Sequence, residues 1–101
     1  MVGGAFPLLM QIRWAPTALN DFKTISYRVE RQRNLATANR VCRQIYNAIQ
    51  TLRLHPHIGR PGTEEGTREL VITKSPYIVV YRLQSEAVQI LRIWHGAQDW
   101  R

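Results

Sequence analysis

Three strand-like runs crowd into the last third of the chain and restrict its fold more than any other feature. Arg68-Glu69-Leu70-Val71-Ile72 is the first, Pro76-Tyr77-Ile78-Val79-Val80-Tyr81-Arg82-Leu83 the second, and Ala87-Val88-Gln89-Ile90-Leu91-Arg92-Ile93-Trp94 the third. β-Branched residues recur in each, joined by aromatics in the second and third, and only a few turn residues separate them, so they read as an antiparallel meander. The third run is nearly all apolar, as an interior strand should be. It leads straight into His95-Gly96-Ala97-Gln98-Asp99-Trp100, a polar and aromatic tail placed to carry chemistry or recognition.

The meander needs a cover for one face, and the first half of the chain supplies it. Leu8 to Trp14 reads as a strand that Pro16 stops. Ala15-Pro16-Thr17 then opens a helix, because proline is tolerated in a first turn. Ala18, Phe22, Ile25 and Val29 recur at helical spacing as an apolar face, with Asn20, Lys23, Arg28 and Arg31 on the other side. After the polar break Arg31-Gln32-Arg33-Asn34, Asn34 is a good cap for a second helix. There Leu35, Ala38, Cys42, Ile45, Ile49 and Leu52 alternate spacings of three and four, widened by Val41 and Ala48, so one long seam is buried. The two helices are expected to form an antiparallel hairpin packed on the sheet. The alternative use of that seam is dimerisation.

The order strand, helix, helix, three strands predicts an α+β fold with a mainly antiparallel four-stranded sheet. With 101 residues the chain is expected to be one domain, residues 10–101, behind a flexible leader over residues 1–9 that contains Gly3-Gly4. No run approaches the roughly 18 apolar residues of a membrane span. The first ten residues lack a basic segment before a short apolar stretch, unlike a secretory signal. A lone cysteine, Cys42, excludes an internal disulfide and reads as a small core residue.

Between the second helix and the meander lies His55-Pro56-His57-Ile58-Gly59-Arg60-Pro61-Gly62, a loop rich in turn residues. It lacks the lysine-hydroxyl ending of a phosphate-binding P-loop. His55 and His57 have no evident partners for a metal, and no cofactor is called for. The net charge is +7, and among the 14 basic residues only Lys23 and Lys74 are lysines. Arginine suits bidentate contact with phosphate or carboxylate, so the expected partner is nucleic acid or an acidic protein segment. One reading of this charge is a plain nucleic-acid-binding module whose basic helix faces, with Arg28, Arg31, Arg40 and Arg43, set a steep salt dependence.

The element order and several local patterns together resemble the RelE/ParE superfamily of bacterial toxins. The matching stretches are Gln11-Ile12-Arg13-Trp14 with Pro16 and Ala18, His55-Pro56 with Gly59-Arg60-Pro61-Gly62, Arg68-Glu69-Leu70-Val71, Tyr77-Ile78-Val79-Val80-Tyr81-Arg82 and Leu91-Arg92-Ile93-Trp94-His95-Gly96. They span residues 10 to 100. The resemblance implies a small cytoplasmic toxin of a toxin–antitoxin (plasmid stabilisation) module, held in a hetero-oligomer by a cognate acidic antitoxin. An arginine-rich surface independently suits an acidic peptide that folds on binding.

The superfamily divides into RelE-like members, which cut messenger RNA on the ribosome, and ParE-like members, which poison DNA gyrase. Cutting RNA requires a base, an acid and a cation on the phosphate. In the RelE-like pattern the third strand reads aromatic or His, then Arg, then Leu-Val-Tyr, and that Arg holds the scissile phosphate. Here Ile78 stands at that position, and the second strand offers Glu69 and Val71 where some nucleases alternate lysines. An isoleucine cannot stabilise a pentavalent phosphate, and loss of such a group costs about 10²–10³ in rate. Arg82 lies on the same strand face as Ile78 but four residues, roughly 13 Å, away. The favoured reading is therefore a ParE-like toxin that binds a large target such as gyrase, with Arg92, His95, Trp100, Arg68 and Arg82 as target contacts. The alternative is a ribosome-dependent mRNA endonuclease. His95 would then be the acid or base, since imidazole changes charge nearest neutrality, with Arg92 or Arg68 on the phosphate and Trp100 stacked on a base.

Overall fold

The computed structural model describes residues 9–96, so the expected leader over residues 1–9 and Trp100 lie largely or wholly outside the described residues. The elements are β1 (Gln11–Trp14), α1 (Pro16–Gln32), α2 (Leu35–Thr51), β2 (Arg60–Pro61), β3 (Thr67–Val71), β4 (Tyr77–Gln84) and β5 (Ala87–His95). They build one five-stranded sheet in the order β1-β5-β4-β3-β2, with the α1–α2 hairpin on one face. The expected α+β class and the meander β3-β4-β5 are present. The strand count differs from the expected four because Arg60-Pro61 pairs with Arg68 and Glu69 as a two-residue edge strand. A stretch so short, with a proline that cannot donate to a ladder, carries only loop signals in sequence. β1 is the other edge and runs parallel to β5, from Gln11 opposite Ala87 to Trp14 opposite Ile90.

The helices begin where local chemistry dictates. Pro16 occupies the first turn of α1. At α2 the Asn34 Oδ1 accepts a 2.7 Å hydrogen bond from the Thr37 amide, satisfying an otherwise orphaned donor. The seam holds through Ala38, Ile45, Ile49 and Leu52, all fully buried. Leu35, the first residue of α2, departs from it and is 58% exposed. Cys42 is only half-buried, at the margin of the seam instead of in its centre.

Against this stripe the sheet presents Tyr77, Val79, Tyr81, Val88, Ile90 and Ile93. Ile90 and Ile93 are three apart, which regular alternation would send to opposite faces. A register shift resolves this: Tyr81 pairs with Ile90 while Val80 pairs with Arg92, leaving Leu91 as the extra residue of a bulge. The bulge lets β5 bury both isoleucines.

The loop after α2 is clamped by one tyrosine and one arginine. The Tyr81 hydroxyl donates to the Pro56 carbonyl at 2.7 Å and accepts from the Gly59 amide at 2.9 Å. Arg68 donates to the carbonyls of Gly59 and His57 at 2.7 and 3.2 Å. Gly59 is required there, since a Cβ would stand 2.6 Å from the Tyr81 hydroxyl oxygen and 2.9 Å from the Glu69 carbonyl oxygen.

Tyr81→Phe should therefore destabilise the protein by about 1–3 kcal/mol in urea denaturation, since it strands the Gly59 amide and the Pro56 carbonyl. Burial pushes the Tyr81 phenol above its ordinary 10.0. The unfolded chain loses that proton first, so the stabilising contribution holds below about pH 10 and falls as pH rises further. Alkaline unfolding followed by circular dichroism should be less steep in the Phe variant.

Candidate functional site

Two recesses flank the outer half of β5. β1 ends at Trp14, so beyond Ile90 this edge of β5 has no strand partner, and α1 takes over. The Ala15 amide donates to the Ile90 carbonyl at 2.8 Å. Two residues on, the Thr17 hydroxyl donates to the Leu91 carbonyl at 2.8 Å. A full turn beyond that, Asp21 Oδ2 accepts from the Ile93 amide at 2.9 Å. Thr17 and Asp21 are four apart, hence on one helix face, and close a strand edge that would otherwise be open.

Asp21 also holds Arg92. The guanidinium Nε donates to Oδ2 at 2.8 Å and Nη2 to Oδ1 at 3.2 Å, a bidentate ion pair. These hydrogen bonds raise the Arg92 pKa further above its already high value. Arg92 also lies 5.9 Å from the centre of the Trp94 ring.

On the inner, helix-facing side, a small cavity of about 80 Å³ is lined by Asp21, Thr24, Arg28, Tyr77, Arg92 and His95 among others. His95 pairs with Tyr77 across the sheet and meets it edge-on, ring centres 5.4 Å apart. The Tyr77 phenol is raised in pKa by burial, partly offset by nearby Arg28.

The outer face is a cleft of about 390 Å³ lined by Thr63, Glu64, Thr67, Glu69, Val80, Leu91, Arg92 and Trp94. Strand register orders the outer sheet face, of which the cleft covers a part, in rows: Val71, Ile78 and Trp94; then Glu69, Val80 and Arg92; then Thr67, Arg82 and Gln89. Ile78 is thus flanked on both neighbouring strands by hydrocarbon or indole. Glu69 is 3% exposed and accepts from Arg60 at 2.9 and 3.1 Å. A phosphate entering here meets two carboxylates, Glu64 and Glu69, while the Arg60 and Arg92 guanidinia are already paired with acids. No group of three His, Cys, Asp or Glu among the described residues could hold a metal ion.

The candidate residues are therefore divided. Arg92 and His95 share the inner cavity. Arg68 also points inward, but at the other end of the sheet and engaged with the loop carbonyls. Arg82 lies on the outer face, two rows from Ile78. His95 sits on the opposite face from Ile78, because its partner Tyr77 precedes Ile78 by one residue. Asp21, Thr17 and the Arg60–Glu69 pair escaped sequence reasoning. The i, i+4 spacing of Thr17 and Asp21 beside an apolar stripe was their only signal.

The family model described as "ParE toxin of type II toxin-antitoxin system, parDE" matches residues 12–100. The chain belongs to the ParE toxin family. It is also 40% identical over 90 residues to "Putative toxin Y4kP" of Sinorhizobium fredii (strain NBRC 101917 / NGR234), covering 89% of this chain and 92% of that protein. Among solved structures it is similar to the chromosomal ParDE system of P. aeruginosa (TM-score 0.80, 24% identity, 86% of this chain and 96% of that one). It is also similar to the RelBE2 complex of Mycobacterium tuberculosis (TM-score 0.58, 24% identity, 92% and 98%). At that identity the two structures speak for the shared fold. The protein is thus a ParE-type toxin of a type II toxin–antitoxin system, and no helix among the described residues is long and apolar enough to cross a membrane.

Asp21→Ala should cost about 1–3 kcal/mol by urea denaturation, more than Arg92→Ala, because it releases the Ile93 amide as well as the guanidinium. Equal losses in the two variants would mean that the amide contact contributes nothing.

Proposed function

We propose that this ParE-type toxin arrests growth by binding a large target, DNA gyrase in the first instance, and does not cut RNA. The observation that carries this is the hydrocarbon row Val71–Ile78–Trp94 where an RNA-cutting relative would present a guanidinium. Arg92, diagonal to Ile78 and the best remaining cation, is committed to Asp21. His95, the acid or base of the alternative endonuclease reading, lies on the other side of the sheet. Neighbouring strands offer Ile78 no cation in its own row, Arg92 is taken by Asp21 and His95 is on the other face, so these groups do not converge there for RNA cleavage. Arg92 and His95, with Trp100 in the tail, would instead contact the target, together with Arg82 on the outer face; the contact once assigned to Arg68 would be limited by its work in the loop.

The proposal includes neutralisation in the cytoplasm by a cognate acidic antitoxin in a hetero-oligomer. The +7 charge supports an acidic partner. The apolar floor of the outer cleft would take the hydrophobic anchors of a peptide that folds as it binds. Two solved structures of similar fold are a ParDE system and a RelBE2 toxin–antitoxin complex, in keeping with such a partner.

Inducible expression with paired readouts tests the target. Gyrase-trapped DNA breaks and the DNA-damage response should rise while messages stay intact. Codon-dependent cleavage of messages on ribosomes, abolished by His95→Ala, would overturn the proposal in favour of the endonuclease.

A further inference from the structure

A third recess, on neither side of β5, has the opposite chemistry to the outer cleft. It lies between α2 and the turn joining β3 to β4, has a volume of about 490 Å³, and is lined by Arg40, Val41, Arg43, Gln44, Asn47, Lys74, Ser75 and Pro76. Arg40, Arg43 and Asn47 follow one another at spacings of three and four, so one exposed face of α2 presents them together. Lys74 faces them from the turn, where its φ of 61° puts it in the left-handed region. Two hydrogen bonds fix that turn. The Gln44 amide donates to the Thr73 carbonyl at 3.2 Å, and the Ser75 amide to the Ile72 carbonyl at 3.2 Å. Three cations on two elements thus converge on one groove that has no carboxylate in its lining.

We propose that this groove binds the phosphate backbone of duplex DNA without reading its sequence. Amides and a hydroxyl between cations are the usual companions of phosphate contacts. Two alternatives fit the lining less well. An acidic peptide that folds on binding needs apolar anchor pockets, and only Val41 and Pro76 are apolar here. A single strand is held by aromatic platforms as well as charge, and no aromatic residue lines the groove. Duplex DNA offers a dense row of phosphates, one charge per roughly 1.7 Å of axis, and asks only for positioned cations. DNA binding at this groove holds whichever macromolecule the toxin inhibits.

The test uses the purified full-length chain with a fluorescein-labelled 25-base-pair duplex of arbitrary sequence. Anisotropy titrations are run across a series of KCl concentrations. The groove variant is Arg43→Gln/Lys74→Asn, in which asparagine tolerates the positive φ. A charge-matched control is Arg13→Gln/Lys23→Gln, two exposed positions outside the groove. The slope of log K against log[KCl] should flatten by about 1.8 in the groove variant, at about 0.9 per phosphate contact, and change little in the control. Arg40→Gln/Arg43→Gln, confined to the exposed helix face, should repeat the effect without touching the turn. Equal flattening in groove and control variants would reduce the binding to diffuse net charge and overturn the proposal. So would failure of the wild-type chain to bind the duplex. Polyglutamate or a 25-nucleotide RNA strand binding more tightly than duplex, with loss confined to the groove variants, would assign the groove to a peptide or single strand instead.

Discussion

The unpartnered half of β5 is the constraint around which this molecule is arranged. A sheet whose first strand is four residues long cannot cover a nine-residue neighbour, and the exposed amides and carbonyls would cost free energy or invite another chain. Helix α1 resolves this by lying along the gap and offering the hydroxyl of Thr17 and the carboxylate of Asp21 in place of a strand. That choice fixes where α1 runs and so where its apolar stripe meets Ile93 and Tyr77. It also fixes the fate of Arg92, which is drawn round the strand edge to the same carboxylate. Backbone satisfaction and side-chain electrostatics meet on a single oxygen.

Much of this architecture was legible in the sequence because it rests on periodicity and stop signals. Pro16, Asn34 and the helical periodicity of Ala38, Ile45, Ile49 and Leu52 each act locally, so reading them needs no knowledge of the fold. The burial of β5 followed from its near-continuous apolar run. The rest required three dimensions. Nothing local marks Arg60-Pro61 as a strand; only Arg68 and Glu69 opposite make it one. Leu35 satisfies the helical spacing but, as the first residue of its helix, stays exposed. The loop motif His55-Pro56 with Gly59 could be quoted as a pattern, but its reason is Tyr81, more than twenty residues later, whose hydroxyl leaves no room for a Cβ.

The candidate site was legible as a set of residue types and not as a constellation. The substitution at Ile78 was visible in the chain, and the register gives it meaning by placing Val71 and Trp94 on either side. The alternation of faces could also be counted along β4 and β5, but the separation of His95 from Ile78 required the register across the bulge. Asp21 was invisible as the partner of Arg92 because seventy residues intervene. The resulting surface is polarised: acids and hydrocarbon in the outer cleft, cations between α2 and the β3–β4 turn.

The parallel union of β1 with β5 has a bearing on how the molecule comes into being. Gln11 cannot find its neighbour until Ala87 has been synthesised, so the sheet closes only when its last strand is available. Contacts between distant parts of a chain form slowly, because loop entropy must be lost before they give anything back. The helical hairpin, made of nearby residues, can assemble early and wait with its apolar stripe uncovered. The strand edge that Thr17 and Asp21 close, and the recesses on either side of β5, are thus among the last parts of the molecule to be completed.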